Sequence, residues 1–259
     1  IGAPLTPDKW KQNTRFLPAP YTDRLSLTAP TLAKAMKAAG YATFFAGKWH
    51  LGPEGWWPEN QGFDVNMGGL DRGGPNGGRK YFSPYGNPRL TDGPEGEHLP
   101  DRLAAETARF IEVNRERPLF AYFSFYSVHT PLMARADLPE KYEAKRQRLG
   151  LQEKWGREGE RDVRLVQEHA VYAGMVEAMD RAVGRVLAKL DELGLTQNTL
   201  VIFTSDNGGL STSEGWPTSN LPLRGGKGWL YEGGIREPFL VRWPTARSIA
   251  STMPAYTAC

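Results

Sequence analysis

The chain predicts an α/β fold with a mostly parallel central sheet. Three observations carry that prediction. Short apolar runs alternate with helical patterns. The runs Tyr41–Ala46, Leu119–Phe125 and Thr199–Phe203 read as buried strands, since they are apolar or β-branched without strict alternation. Each is followed by chemically useful polar side chains, and the carboxyl edge of such a sheet is where ligands bind.

Residues 1–27 are Pro-rich and irregular in pattern. Thr28 reads as an N-cap with Pro30 in the first turn. Leu32, Ala35, Met36 and Ala39 then form one apolar helical face, ended by Gly40. The strand Tyr41–Ala46 runs into Gly47-Lys48-Trp49-His50-Leu51-Gly52. If the chain stays extended there, Lys48 and His50 share a side and Trp49 opposes them. An exposed lysine beside a packed histidine would look the same in sequence.

From Gly52 to Pro100 the chain is dense in Gly, Pro, Asn and Asp, with Trp56, Trp57, Tyr81, Phe82 and Tyr85 interspersed. So long a loop is usually functional or disordered, and its aromatics argue against disorder. It suits sugar or aryl recognition, and equally simple packing. His98 reads as a surface histidine. Pro100 and Asp101 open a helix carrying Leu103, Ala104, Phe110 and Ile111. After Leu119–Phe125 come Ser127-Val128-His129-Thr130-Pro131.

Residues 135–164 read as a charged, helical surface excursion without a core-forming face; the basic run Lys141–Arg148, broken by Glu143, is a solvated helix face. Residues 165–193 read as a long amphipathic helix ended by Gly194, containing His169 and Asp180 as structural or surface residues. The run Thr199–Phe203 ends in Ser205-Asp206-Asn207-Gly208-Gly209. Asp206 and Asn207 offer the hard oxygen donors that Ca²⁺ or Mg²⁺ takes. An ordinary turn would have the same composition. Lys227 lies in Leu223-Arg-Gly-Gly-Lys-Gly228, where backbone can approach an anion and the ammonium supplies charge. Thr212–Pro222 is a Gly/Pro/Ser loop, and Pro238–Trp243 a further short strand.

Composition bounds the function. The 259 residues are 40% hydrophobic and 24% charged, enough for one sizeable domain. A net charge of +3 is too mild to imply a nucleic-acid partner, and no apolar run approaches a membrane span. The one cysteine, Cys259, permits no internal disulfide. No repeat or low-complexity linker is found.

With these pieces placed, the chain resembles type I sulfatases of the alkaline-phosphatase superfamily, arylsulfatase-like or N-acetylgalactosamine-6-sulfatase-like. Gly40–His50 resembles the family's second signature and Ser127–Pro131 its later His-x-Pro segment. Thr204–Gly208 resembles the metal motif. Arg224–Gly228 and Glu232–Pro238 resemble the segment of the second lysine. The resemblance implies a three-layer αβα sandwich, with residues 1–259 forming the catalytic domain, incomplete at both ends.

It also implies roles. Asp206 and Asn207 would be calcium ligands. Lys48 and Lys227 would hold the sulfate oxygens and offset charge as the S–O bond breaks. His50 would be the base that helps expel sulfate, and His129, with Lys227, would serve the leaving-group oxygen. The substrate would be a sulfated carbohydrate or aryl sulfate ester, and the setting periplasmic or secreted. The family's formylglycine nucleophile arises in a Cys/Ser-x-Pro-x-Arg motif about fifty residues before the first lysine. No such motif occurs in these residues, nor does the family's Asp-Asp calcium pair. The expectation is a chain cut just after the nucleophile segment and lacking most of the small C-terminal subdomain, inactive by itself. Two other readings stay open: a phosphomonoesterase or phosphodiesterase of the same superfamily, and a non-catalytic protein binding sulfated glycans.

Overall fold

The computed structural model describes residues 22–75 and 80–245. The Pro-rich start and Cys259 therefore lie outside the described residues. The chain divides into two compact units: the described residues up to His129 with Arg181–Lys189, and Thr130–Asp180 with the described residues from Leu190 on.

The first unit is built on β1 (Ala42–Gly47), which lies between β2 (Val65–Met67) and β3 (Leu119–Ser124), parallel to both. All six β1 residues are buried, and the reason lies in its two faces. Phe44 stacks on Phe110 of α2 (Leu99–Val113), ring centroids 4.6 Å apart. Phe45, one residue on, points the other way, into Ala33, Phe63 and Trp49. A strand covered on both sides reads as an unbroken apolar run. The expected parallel sheet is thus present.

Several expectations need correction here. Helix α1 (Leu32–Ala38) is capped by Thr31, whose side chain accepts from Lys34 N at 3.2 Å, and not by Thr28. Its inward residue is Ala33, while Leu32 is 63% exposed. So short a helix buries one small contact, and the apolar periodicity misled by a residue. The strand β2, hidden in the long glycine-rich stretch, has too few apolar residues to show a period. His98 is 2% exposed, packed 5.1 Å from the Phe82 ring and 6.1 Å from the Tyr81 ring, so it is a core residue and not a surface one. Strand β3 is only half-buried, because among the described residues it has β1 on one side and no strand on the other.

In the second unit, residues 135–164 are not one helical excursion. Helix α3 (Leu138–Arg148) is followed by an antiparallel hairpin, β4 (Trp155–Glu158) and β5 (Arg161–Arg164). Leu138 is buried, so the segment does reach a core. Helix α4 (Ala170–Glu192) begins five residues later than the pattern suggested. His169 stands at its entry: the ring Nδ1 accepts from Tyr172 N at 3.3 Å and the carbonyl accepts from Ala173 N at 3.0 Å. The buried seam of α4 is Met175, Ala178, Ala182 and Leu190, and Val176 is exposed.

Strand β6 (Val201–Thr204) also departs from expectation. It pairs antiparallel with β7 (Phe239–Arg242), and Ile202 is 52% exposed. An apolar run specifies extended backbone, but neither the direction of its partner nor how many of its faces are covered. The short helix α5 (Glu232–Ile235) completes the unit. Among the described residues no helix is long and apolar enough to cross a membrane.

Candidate active site

The first unit gathers Lys48, His50 and His129 at one sheet edge. Gly47 ends β1 with φ 106°, and a Cβ there would sit 1.7 Å from the Ser124 carbonyl oxygen. Only glycine allows that approach. It lets Lys48 N donate to Ser124 O at 2.9 Å while Ser124 Oγ donates back to Lys48 O at 2.7 Å. The lysine backbone is therefore clamped between the ends of two parallel strands.

His50 does not continue the strand. Its φ is 56°, left-handed and costly for a residue with a Cβ. Alternation along an extended chain is thus not what orients it. Two contacts fix it: His50 N donates to Leu70 O at 2.8 Å, and Gly73 lies so close that a Cβ there would be 2.8 Å from the imidazole. Trp49 is the core member of the trio, edge-on to Phe45 and donating its Nε1 to Trp56 O at 2.9 Å.

His129 closes a turn after β3, its N–H donating to Tyr126 O at 2.9 Å. Beneath that turn lies Tyr81, fully buried, whose hydroxyl donates to Tyr126 O at 2.8 Å and His129 O at 2.9 Å. Tyr126 in turn donates to Gly68 O at 3.0 Å. Burial pushes both phenols well above their ordinary range, so they act as fixed donors at any working pH.

The second unit gathers Asp206, Asn207 and Lys227 by packing backbone on backbone. A Cβ on Gly208 would lie 1.7 Å from Gly233 O, and one on Gly226 would lie 2.5 Å from Gly209 O. Lys227 N donates to Gly209 O at 3.1 Å, which ties the lysine loop to the residues just after Asn207. Asn220 is the hub. Its amide nitrogen lies 2.9 Å from Gly209 O, 3.0 Å from Ser211 Oγ and 3.0 Å from Gly225 O, and its Oδ1 accepts from Gly209 N at 3.1 Å. The Lys227 ammonium lies 3.4 Å from Glu214. Arg224, three residues earlier, is held by Glu158 of the hairpin at 2.6 Å and stacks 3.8 Å from the Tyr231 ring.

Asp206 has a neighbour the sequence reading passed over. One oxygen of Glu237 is buried without a hydrogen-bond partner. Burial, and then the Asp206 charge, push the Glu237 carboxyl above the usual carboxylate range. Two carboxylates at one strand end, one of them incompletely satisfied, make a local negative potential that suits a hard divalent cation. Among the described residues no three His, Cys, Asp or Glu side chains cluster as a complete metal shell. Asp206 and Asn207 could supply two of the six to eight oxygens such an ion takes.

The Sulfatase family profile matches residues 9–253. The chain belongs to the sulfatase family. It is 37% identical over 184 residues to a sulfatase of Formosa agariphila, a match covering 66% of this chain and 30% of that protein. It is 31% identical over 239 residues to mouse N-acetylgalactosamine-6-sulfatase, covering 82% and 39%. Among solved structures, Ps i-CgsB in complex with k-i-k-neocarrahexaose superposes with a TM-score of 0.65 at 28% identity, covering 88% of this chain and 50% of that one. The sulfatase fold expected from the sequence is thereby supported. The chain spans between a third and two fifths of the length of the mouse relative, and less of the bacterial one.

Asn220, Ser124, Tyr81 and Glu214 carry no signal that sequence reasoning could use. Each is a common polar or aromatic residue in a stretch without periodicity, and its importance is a matter of what folds against it. The doubled glycines 208–209, 225–226 and 233–234 were visible, and their mutual contact is the clue that could have been followed.

Proposed function

We propose that this sulfatase-family chain forms most of the active site of a sulfuric ester hydrolase that releases sulfate from a sulfated carbohydrate. In this reading Lys48, His50 and His129 of the first unit, and Asp206, Asn207 and Lys227 of the second, are the residues that act on the sulfate ester. The observation that carries it is the glycine-packed junction that binds Lys227 N to Gly209 O, directly after Asp206-Asn207. A cation and a hard-oxygen donor pair are there held on one rigid backbone platform, which is what a sulfate monoester anion requires.

The residues then divide the work. Lys48 and Lys227 bind sulfate oxygens and stabilise the charge that grows as the S–O bond breaks. His129, with Lys227, protonates the departing sugar oxygen, and His50 is the base that helps free sulfate from the enzyme. Asp206 and Asn207 would hold a calcium ion, which when bound supplies positive charge to the sulfate. Neutral Asn207 contributes a ligand oxygen without repelling the substrate. The nucleophile in this reading is a formylglycine outside these residues, and the setting is periplasmic or secreted. The substrate class is supported by the neocarrahexaose carried by the i-CgsB neighbour.

The test is sulfate release by the full-length protein from sulfated oligosaccharides and from an aryl sulfate. Replacing Lys48 or Lys227 by Ala should lower kcat by about 10²–10³. Release of phosphate from phosphate monoesters in place of sulfate, or full activity in both lysine variants, would sink the reading.

A further inference from the structure

The loop Ser213–Trp216 is strained in a way its surroundings impose. Glu214 has φ 52°, Gly215 91° and Trp216 46°, three consecutive left-handed residues of which two carry a Cβ. Such backbone persists only when neighbours over-determine it, and it concentrates at functional sites.

The neighbours are identifiable. Buried Arg164 donates its Nε to Trp216 O, and is itself held by Glu168 and by Glu153 at 3.0 Å. The Trp216 ring donates to Asp162 O at 3.1 Å and meets Trp155 edge-on at 6.1 Å. The hairpin β4–β5 is therefore the buttress of this loop. What the strained turn presents is the carboxylate of Glu214, 3.4 Å from the Lys227 ammonium, with 41% of its side chain and 28% of the lysine's exposed. A half-exposed pair at that separation contributes little stability. It does not offset two left-handed residues.

We propose that Glu214 is a specificity-determining residue that accepts hydrogen bonds from hydroxyl groups of the sugar ring bearing the sulfate. The inference rests on the reading of Lys227 as the lysine at the ester oxygen. With Lys227 at the ester oxygen, a carboxylate 3.4 Å from its ammonium is within reach of the ring hydroxyls next to that ester. An ionised carboxylate has two oxygens and accepts from vicinal hydroxyls, and each such charge-assisted bond is stronger than a neutral one. It also repels a second sulfate at the adjacent ring position. An aryl sulfate has no hydroxyls to offer and gains nothing from Glu214.

The experiment uses the full-length enzyme and compares kcat/KM on a monosulfated oligosaccharide with that on 4-nitrophenyl sulfate, for wild type, Glu214→Gln and Glu214→Ala. The glycan-to-aryl ratio should fall about ten- to hundredfold in Glu214→Ala and by less in Glu214→Gln, which keeps one acceptor oxygen. Equal losses on both substrates would reduce Glu214 to a residue that merely positions Lys227, and an unchanged ratio with undiminished rates would leave it no role; either overturns the proposal. Failure of the underlying reading looks different: wild type would release sulfate from neither substrate.

Discussion

The hydroxyl of Tyr81 lies 2.9 Å from the carbonyl oxygen of His129, and 2.8 Å from that of Tyr126. A fully buried phenol thus holds the turn that presents His129, from the opposite end of the long glycine-rich stretch. Tyr81→Phe keeps the ring packing and removes the hydroxyl donor from both carbonyls, of which Tyr126 O keeps its bond from His129 N. It should lower unfolding free energy by about 1–3 kcal/mol. With His129 serving the leaving group as proposed, it should also reduce kcat of the full-length protein more than it raises KM, because the substrate contacts stay while that partner drifts. Urea melts paired with steady-state kinetics check both parts, and a variant that loses stability with kcat intact would detach Tyr81 from His129.

Gly40 and Gly47 flank β1 and both have positive φ, 86° and 106°. Only Gly47 also faces an obstacle, the Ser124 carbonyl, whereas a Cβ on Gly40 meets nothing within 4 Å. Gly40→Ala should therefore cost only backbone strain, about 1–2 kcal/mol. Gly47→Ala must in addition push β3 away from β1, for a total of about 3 kcal/mol or more. Parallel thermal melts decide it: comparable losses for the two would mean the strand ends are not held as tightly as the Lys48–Ser124 bonds indicate.

The amide of Asn220 serves three acceptors and one donor around the lysine loop. Asn220→Ala removes these bonds and leaves Gly209 N without its acceptor, at about 1–3 kcal/mol. Asn220→Asp keeps the acceptor toward Gly209 N but sets a carboxylate against three oxygens, so its loss should exceed that of Ala. Asn220→Asp should also weaken sulfate affinity, readable as a raised inhibition constant for inorganic sulfate. An aspartate variant as stable as wild type would contradict the hub.

Why some of this was legible and some was not follows from the residues. Strand β1 announced itself because both its faces are covered, so Phe44 and Phe45 had to be apolar together. Lys48 and Asp206 stood out as charges directly after apolar runs. The direction of β6 was invisible, since Val201–Thr204 would look alike beside a parallel or an antiparallel neighbour. The β4–β5 hairpin was masked by composition: Arg157 pairs with Asp162 and Glu158 reaches Arg224 across space, and charge pairing has no sequence period. His98 was misread because a buried imidazole between Tyr81 and Phe82 depends on partners sixteen and seventeen residues away.

His169 supplies a pH dependence. Burial and the nearby Arg164 charge hold its imidazole below the ordinary value of 6.5. In the native state its Nδ1 must also stay unprotonated to accept from Tyr172 N. The unfolded chain therefore binds a proton near pH 6.5 that the folded chain resists. This contribution to stability is full above that pH, declines as pH falls through it, and levels off below the folded value. His169→Asn keeps a cap acceptor without a titrating ring. Denaturant midpoints between pH 5 and 8 should slope downward toward acid more steeply in wild type than in His169→Asn; matching slopes would assign the dependence elsewhere.

Replacing Asp206 and replacing Glu237 should change the response to metal to different degrees. Burial first, and then the charge of Asp206, raise the Glu237 carboxyl. Replacing Glu237 by Gln should then stabilise the metal-free full-length protein, while replacing Asp206 by Ala removes a ligand. Calcium at about one hundred times its dissociation constant should stabilise wild type by about 2.7 kcal/mol, and chelation should reverse it. Asp206→Ala should lose that response. Glu237→Gln should retain it with weaker affinity, because the attraction of a second nearby negative charge is gone. Thermal shifts with and without calcium, followed by isothermal titration, separate the two residues. A calcium shift that survives Asp206→Ala undiminished would place the ion away from the end of β6.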